Sequence, residues 1–78
     1  MPDETSLYQE LVTLDDRRRR LEMRIADALN TQRYSADGSA VEAARAEERR
    51  LLGELDRLLT RVRAVEGQLL QARRRRPQ

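Results

Sequence analysis

The chain has 78 residues, a formal net charge of +2 and 38% charged residues, and it contains no Cys, His or Trp. A chain of this length supplies one domain with a thin core, so association with another protein is the default expectation. The absent residue types exclude disulfides, and they exclude the metal-centred or histidine-based catalysis that thiol and imidazole groups support. We therefore expect a non-enzymatic protein without a cofactor or a metal.

No stretch of the sequence approaches the roughly 20 apolar residues that a membrane-spanning helix needs. The N-terminal residues also lack the basic start and the apolar run of a signal peptide. We expect a cytoplasmic protein that does not bind membranes.

The first predicted helix runs from about residue 6 to about residue 30. Ser6 followed by Gln9 fits a capping box and marks its start. Its apolar residues recur with alternating steps of four and three, which is the spacing of one helical face. Arg18 interrupts this face, and its side chain either reaches along the seam into water or forms a buried ion pair. The face consists of Leu7, Leu11, Leu14, Arg18, Leu21, Ile25 and Ala28.

The helical pattern stops between residues 31 and 39, which we predict to be a turn. Asp37-Gly38 is a strong signal for a tight turn that needs a positive φ. Tyr34-Ser35 before it and Ala40-Val41 after it have the length of two very short strands. Residues 32–41 are therefore predicted to form either a loop or a very short β-hairpin.

The second predicted helix covers about residues 40 to 72 and carries a more regular apolar face. Ser39 with Glu42 three residues later fits another capping box, which competes with a strand at Ser39. The sustained spacing of three and four residues predicts coiled-coil packing. Additional leucines widen the face enough to touch a third helix. The face consists of Val41, Ala44, Glu48, Leu51, Leu55, Leu58, Val62, Val65 and Leu69, and it is widened by Leu52, Leu59 and Leu70.

The two helices are predicted to fold back on each other as a mainly α, antiparallel two-helix hairpin in residues 1–72. In the register that aligns both apolar faces, Leu21 faces Leu51. Because the first helix is expected to start near Ser6, residues beyond about Glu66 have no partner and overhang. An overhanging apolar segment is either a docking site for another chain or a frayed end. The predicted protein-binding residues are Leu52, Leu59, Leu69 and Leu70.

Two clusters of arginines stand out among the charged residues. Arg17 to Arg20 are consecutive helical residues, which wrap around the helix and do not form one basic face for DNA. The basic segment 73–78 is predicted to be a flexible tail, either solvated or in contact with phosphate or an acidic partner. The residues of this second cluster are Arg73, Arg74, Arg75 and Arg76.

Catalysis by carboxylates would require acidic side chains that converge on one substrate atom. Adjacent residues such as Asp15 and Asp16 point in different directions on a helix. No catalytic residue is therefore predicted.

The segment from Leu21 to Val62, centred on Tyr34-Ser35 and Asp37-Gly38, resembles the small head–tail joining proteins of tailed bacteriophages, in particular the lambda W-like class. The resemblance implies a two-helix protein with a small β-hairpin, present in several copies in a ring beneath the portal. It also implies a location in the virion, and in the host cytoplasm during assembly. By this likeness Tyr34, Ser35, Asp37 and Gly38 form the hairpin, and Arg73 to Arg76 form the flexible tail.

Two functional hypotheses follow. The first is a head–tail connector component that binds a portal or neighbouring ring protein through its apolar helix faces. The second is a homo-oligomeric coiled-coil regulator or nucleoid-associated protein that uses its arginines on DNA. Both expect a protein partner or several copies of the chain, and only the second requires nucleic acid.

Overall fold

The structure is a computed structural model that describes residues 3 to 75. Helix α1 spans Glu4–Tyr34 and helix α2 spans Gly38–Arg74, and residues 35–37 connect them. No strand occurs between residues 3 and 75. The prediction of a mainly α helical hairpin is therefore confirmed, and the alternative of a short β-hairpin in residues 32–41 is wrong.

The start of α1 differs from the predicted capping box. Asp3 is the N-cap, because its carboxylate Oδ1 accepts a hydrogen bond of 2.7 Å from the backbone N–H of Ser6. A carboxylate at this position also complements the partial positive charge at the N-terminus of the helix. The hydrogen bond from the Ser6 backbone lowers the pKa of Asp3. Ser6 is therefore inside the helix and donates to the cap.

The N-cap of α2 also differs from the predicted one. Asp37, and not Ser39, is the N-cap, and its Oδ1 accepts hydrogen bonds from the backbone N–H groups of Ser39 at 2.9 Å and Ala40 at 3.4 Å. Gly38 is the first residue of the helix, and no residue between 3 and 75 has a positive φ. The predicted tight turn at Asp37-Gly38 is therefore wrong, since this pair starts a helix.

The core is a single seam between the two helices. The predicted register, in which Leu21 faces Leu51, agrees with an ion pair one turn away between Arg24 and Glu47. Buried side chains recur every seven residues in each helix, which is the repeat of a left-handed coiled coil. Within residues 3 to 75 no polar or charged residue is buried. The buried residues are Leu7, Leu14, Leu21 and Ala28 in α1, and Ala44, Leu51, Leu58, Val65 and Leu69 in α2.

Leu69 belongs to this core, with an exposed fraction of 5%. Because α1 starts at Glu4 and not near Ser6, its first turn reaches far enough to pair with this part of α2. The predicted overhang is therefore wrong for Leu69, while Leu70 on the next helical position is 53% exposed.

The hairpin forms a thin rod with extents of 63 × 15 × 15 Å. Neither described helix is long and apolar enough to cross a membrane. The rod is only two helices thick, so each helix has one side on the seam and the rest of its circumference at the surface.

Candidate protein-binding face

The two long edges of the rod, on either side of the buried seam, carry different residues. In a heptad repeat, the residue directly after a seam residue and the residue three positions after it lie on opposite flanks of the helix. On α2 the first flank therefore contains Leu52 and Leu59, and the second contains Glu54 and Arg61. We call the second flank, with its counterpart on α1, the closed edge. It consists of Glu10, Arg17, Arg24, Glu47, Glu54 and Arg61.

Ion pairs between the helices cover the seam along the closed edge. Arg61 donates two hydrogen bonds to Glu10, from Nε to Oε2 at 2.6 Å and from Nη2 to Oε1 at 2.9 Å. Arg24 Nη2 donates to Glu47 Oε1 at 2.8 Å. Such surface pairs add little stability, but the long arginine side chains cover apolar surface beside the seam. The fully buried leucines lie next to this edge.

The pKa values of the closed-edge carboxylates reflect these contacts. The hydrogen bond from Arg61 lowers the pKa of Glu10. The pKa of Glu47 is lowered mainly by the hydrogen bond from Arg50 of the same helix and also by Arg24. Both carboxylates are therefore stabilised in the charged form, which pairs with arginine at the closed edge.

The opposite flank has no interhelix ion pair among the described residues, and the centre of its α2 half is apolar, while its α1 half carries Asp15 and Glu22 between Tyr8 and Leu29. Leu52 is 46% exposed, and Leu59 is half-buried. Beside them runs a second row of seam residues that are only half-buried and pack against the core. We call this surface the open face. It consists of Leu11, Ile25, Leu29, Leu52, Leu55, Leu59 and Val62.

One charged cluster interrupts the open face on α1, between Leu11 and Ile25, and its charges are paired within the helix. Arg18 donates from Nε and Nη2 to Asp15 Oδ1, at 3.2 and 2.6 Å, and from Nη1 to Glu22 Oε1. The hydrogen bond from Arg18 lowers the pKa of Asp15, and the two acidic partners raise the pKa of Arg18. Arg18 is therefore in a half-exposed ion pair on its own helix, and the buried pair considered from the sequence does not form.

A hydrogen bond between the helices satisfies the other polar position of the half-buried row. Gln32 Nε2 donates to Glu48 Oε1 at 3.0 Å and to the carbonyl of Ala28 at 3.2 Å. No buried side-chain nitrogen or oxygen lacks a partner among the described residues. Gln32 and Glu48 therefore satisfy each other at this end of the open face.

The four predicted turn residues have structural roles at the tip of the hairpin. Tyr34 is the last residue of α1, and its side chain is 80% exposed. Ser35 caps α1 through its backbone N–H, which donates to Thr31, and its Oγ accepts from the Asp37 backbone at 3.1 Å. Asp37 and Gly38 begin α2, as described above. None of the four forms a strand.

The helix continues into the predicted basic tail. Arg73 and Arg74 are the last residues of α2, and Arg75 is its C-cap, so the helix ends two residues later than predicted. The Arg73 guanidinium lies over the Tyr8 ring, 5.8 Å from its centroid, and donates a hydrogen bond to Tyr8 Oη. Arg76 and the rest of the predicted tail lie outside the described residues.

The four leucines predicted to bind a protein lie in three different environments. Leu52 and Leu59 lie together on the open face, Leu69 is in the core, and Leu70 lines a groove with Tyr8 at the open end of the hairpin. The α1 half of the open face was not predicted as a site. Its sequence signal on this flank was limited to Leu29, because the same flank of α1 also carries Asp15 and Glu22.

Comparison with protein-family models, curated proteins and solved structures found no match to this chain.

Proposed function

We propose that this chain is a non-enzymatic assembly protein, which binds a helical surface of a partner protein through its open face. The observation that carries the proposal is the difference between the two edges. One edge is covered by ion pairs between the helices, and the other leaves the half-buried row of the seam uncovered beside Leu52 and Leu59.

The pattern on α2 is that of a helix in a bundle. A helix that contacts one partner buries two positions in seven, while a helix in a larger bundle buries about three. Leu52 and Leu59 supply that third position, directly after the seam residues Leu51 and Leu58. Covering them removes apolar surface from water, which contributes about 25 cal/mol per Å².

The specific form of the proposal is a head–tail connector component in the virion of a tailed phage, bound to a portal or a neighbouring ring protein. Its support is the sequence likeness described above together with the exposed apolar edge. The likeness also implied a β-hairpin, and the connection between the helices has none in residues 3 to 75. Of the likeness, only the helical part therefore supports the connector proposal.

Size-exclusion chromatography with light-scattering detection, on the purified chain mixed with a purified portal ring, tests the proposal. We expect the chain to elute with the ring, and we expect the double variant Leu52→Glu/Leu59→Glu to lose this association. The matched control is Met23→Glu, because Met23 is 68% exposed on the far side of α1. If the control variant and the double variant bind equally well, the open face is not the binding surface.

Nucleic-acid binding is the alternative function, and one arrangement favours it. Arg17, Arg57 and Arg61 line a single groove on the closed edge, with Glu54 as the acidic residue among them. Binding of phosphates by these residues would weaken steeply with salt, by about 0.9 in the logarithm of the affinity per phosphate contact. A gel shift over a salt series, with the wild type, an Arg17→Gln/Arg57→Gln variant for the groove and a variant that lacks residues 73–76 for the tail, distinguishes this function from the first.

A further inference from the structure

We infer that the open face is covered by a second copy of this chain, in a two-fold symmetric four-helix bundle in which the two α2 helices pack antiparallel. The inference rests on the proposed function for the location of the binding surface. It adds the identity of the partner.

The surface area of the hairpin fits a dimer. Its accessible surface is 6020 Å², whereas a compact monomer of the same 9.1 kDa mass exposes about 4,900 Å². The excess of about 1,100 Å² exceeds the roughly 800 Å² that each partner buries in a standard protein–protein interface. The rod therefore exposes more surface than a compact monomer of its mass, by an amount at least as large as one side of a standard interface.

The α2 flank of the open face is complementary to itself. Along this flank the sequence reads, at seven-residue intervals, Arg45, Leu52, Leu59 and Glu66. Turned end to end, the same series places Arg45 opposite Glu66 of the second copy and Leu52 opposite Leu59 of the second copy. Each of these contacts occurs twice, as a two-fold axis requires.

The position of this axis coincides with the middle of α2. The pairing of Leu52 with Leu59 puts the axis between Leu55 and Asp56. This point is also the middle of α2, which spans Gly38–Arg74. The two α2 helices therefore overlap along their whole length, and the register that pairs the charges also gives the largest contact.

The charged residues at both ends of this flank are available for contacts between chains. Arg45 is exposed and bound only to Glu42 of its own helix, at 3.1 Å. Glu66 is exposed and has no hydrogen bond or ion pair within residues 3 to 75. A heterologous partner helix would need no such end-to-end symmetry of charge, whereas a second copy requires it.

Sedimentation equilibrium over a concentration series is the first test. We expect the wild type to reach twice the 9.1 kDa mass of the chain. Leu52→Glu/Leu59→Glu should raise the dissociation constant on the order of a hundredfold, and Met23→Glu should leave it unchanged. Circular dichroism checks that each variant is still helical. A wild type that stays at the mass of one chain at every concentration overturns the inference.

Charge reversal tests the antiparallel register. Arg45→Glu and Glu66→Arg should each weaken the dimer roughly tenfold, since each puts like charges together at two symmetric places. The double variant Arg45→Glu/Glu66→Arg should restore the wild-type dissociation constant. A double variant that is as weak as the sum of both single changes contradicts the register.

A disulfide test uses the absence of cysteine from the natural sequence. In Leu52→Cys/Leu59→Cys the two thiols of one chain are about 10 Å apart along α2, which is too far for a bridge within the chain. Antiparallel packing brings each thiol next to the other thiol of the second copy. We expect oxidation to give a covalent dimer, and oxidised monomer alone would overturn the antiparallel arrangement.

Failure of this inference and failure of the proposed function have different signatures. A chain that is monomeric at all concentrations but binds a portal ring through Leu52 and Leu59 overturns the second copy and retains the assembly function. A dimer that responds to charge reversal but ignores every ring retains the second copy and removes the connector form of the function.

Discussion

The closed edge and the open face flank the same seam, yet they differ in how they are covered. At the closed edge, arginine and glutamate side chains from the two helices join over the core, as Arg61 and Glu10 do. At the open face, the second row of seam residues stays half-buried, and the two central flanking positions on α2 are Leu52 and Leu59. A two-helix hairpin can therefore cover one side of its seam by itself and leave apolar surface exposed on the other side.

The largest expected effect comes from comparing two neighbouring leucines. Leu51 has an exposed fraction of 0% in the seam, and Leu52 is 46% exposed on the open face. Leu51→Ala should lower the free energy of unfolding by about 2–5 kcal/mol, because it leaves a cavity in a thin core. Leu52→Ala should change the stability of the dilute monomer much less, and weaken association instead. Urea unfolding at low and high protein concentration separates the two effects.

Equal losses for both leucines at low concentration would contradict the difference between seam and open face.

Acid should weaken the closed edge before it affects the open face. The pKa of Glu10 is below its usual value near 4.5, mainly through the hydrogen bond from Arg61. A carboxylate with a lowered pKa in the folded state stabilises the protein above its unfolded pKa, and this contribution is lost as the pH falls through the lower folded value. We expect the wild type to lose stability below about pH 4.5, and Glu10→Gln to lose less. Thermal unfolding at pH 6 and pH 3 measures this slope.

In the same acid titration, a Glu10→Gln variant with the full wild-type slope would show that the ion pair does not hold the closed edge.

The N-cap of α2 distinguishes the observed tip from the predicted one. Asp37→Ala removes the acceptor for the Ser39 and Ala40 backbone groups, so it should destabilise the hairpin. Ser39→Ala should cost less, because the Ser39 hydroxyl only donates to Asp37. The loss in each should be smaller than for Leu51→Ala. A larger loss of stability for Ser39→Ala than for Asp37→Ala would indicate that Ser39 is the N-cap, as the sequence predicted.

The smallest expected effect lies on the outer side of α2, far from both edges. A Cβ on Gly67 would meet no atom within 4 Å. Gly67→Ala should therefore stabilise the hairpin by about 0.4–1 kcal/mol, because it restricts the unfolded chain and favours the helix. Association should not change. A shift in the dissociation constant would place Gly67 in the interface.

The seam could be predicted from the sequence, since a seven-residue repeat of apolar residues fixes both the helices and their register. Leu21 and Leu51 face each other as expected. The N-caps could not be predicted, because Asp3 and Ser6 both fit the N-cap position. Only the backbone conformation shows which side chain accepts the hydrogen bond from the first turn. Asp37-Gly38 is also ambiguous, since an Asp that favours a turn equally favours an N-cap.

The difference between the edges depends on contacts between the helices. Leu52 and Leu59 were visible as an extra apolar row in the sequence. The covering of the opposite side by Arg24 and Glu47 becomes visible only once the register is known. The overhang at Leu69 failed for a similar reason, since it depended on where α1 starts.

Hydroxyl-radical footprinting over a dilution series tests most directly whether the open face is covered by another chain. Each residue is compared with itself at different concentrations. We expect Leu52 and Leu59 to be protected at high concentration and to become labelled on dilution, while Met23 is labelled equally throughout. If Leu52 and Leu59 are labelled to the same extent at all concentrations, with and without a portal ring, nothing covers the open face and the account is contradicted.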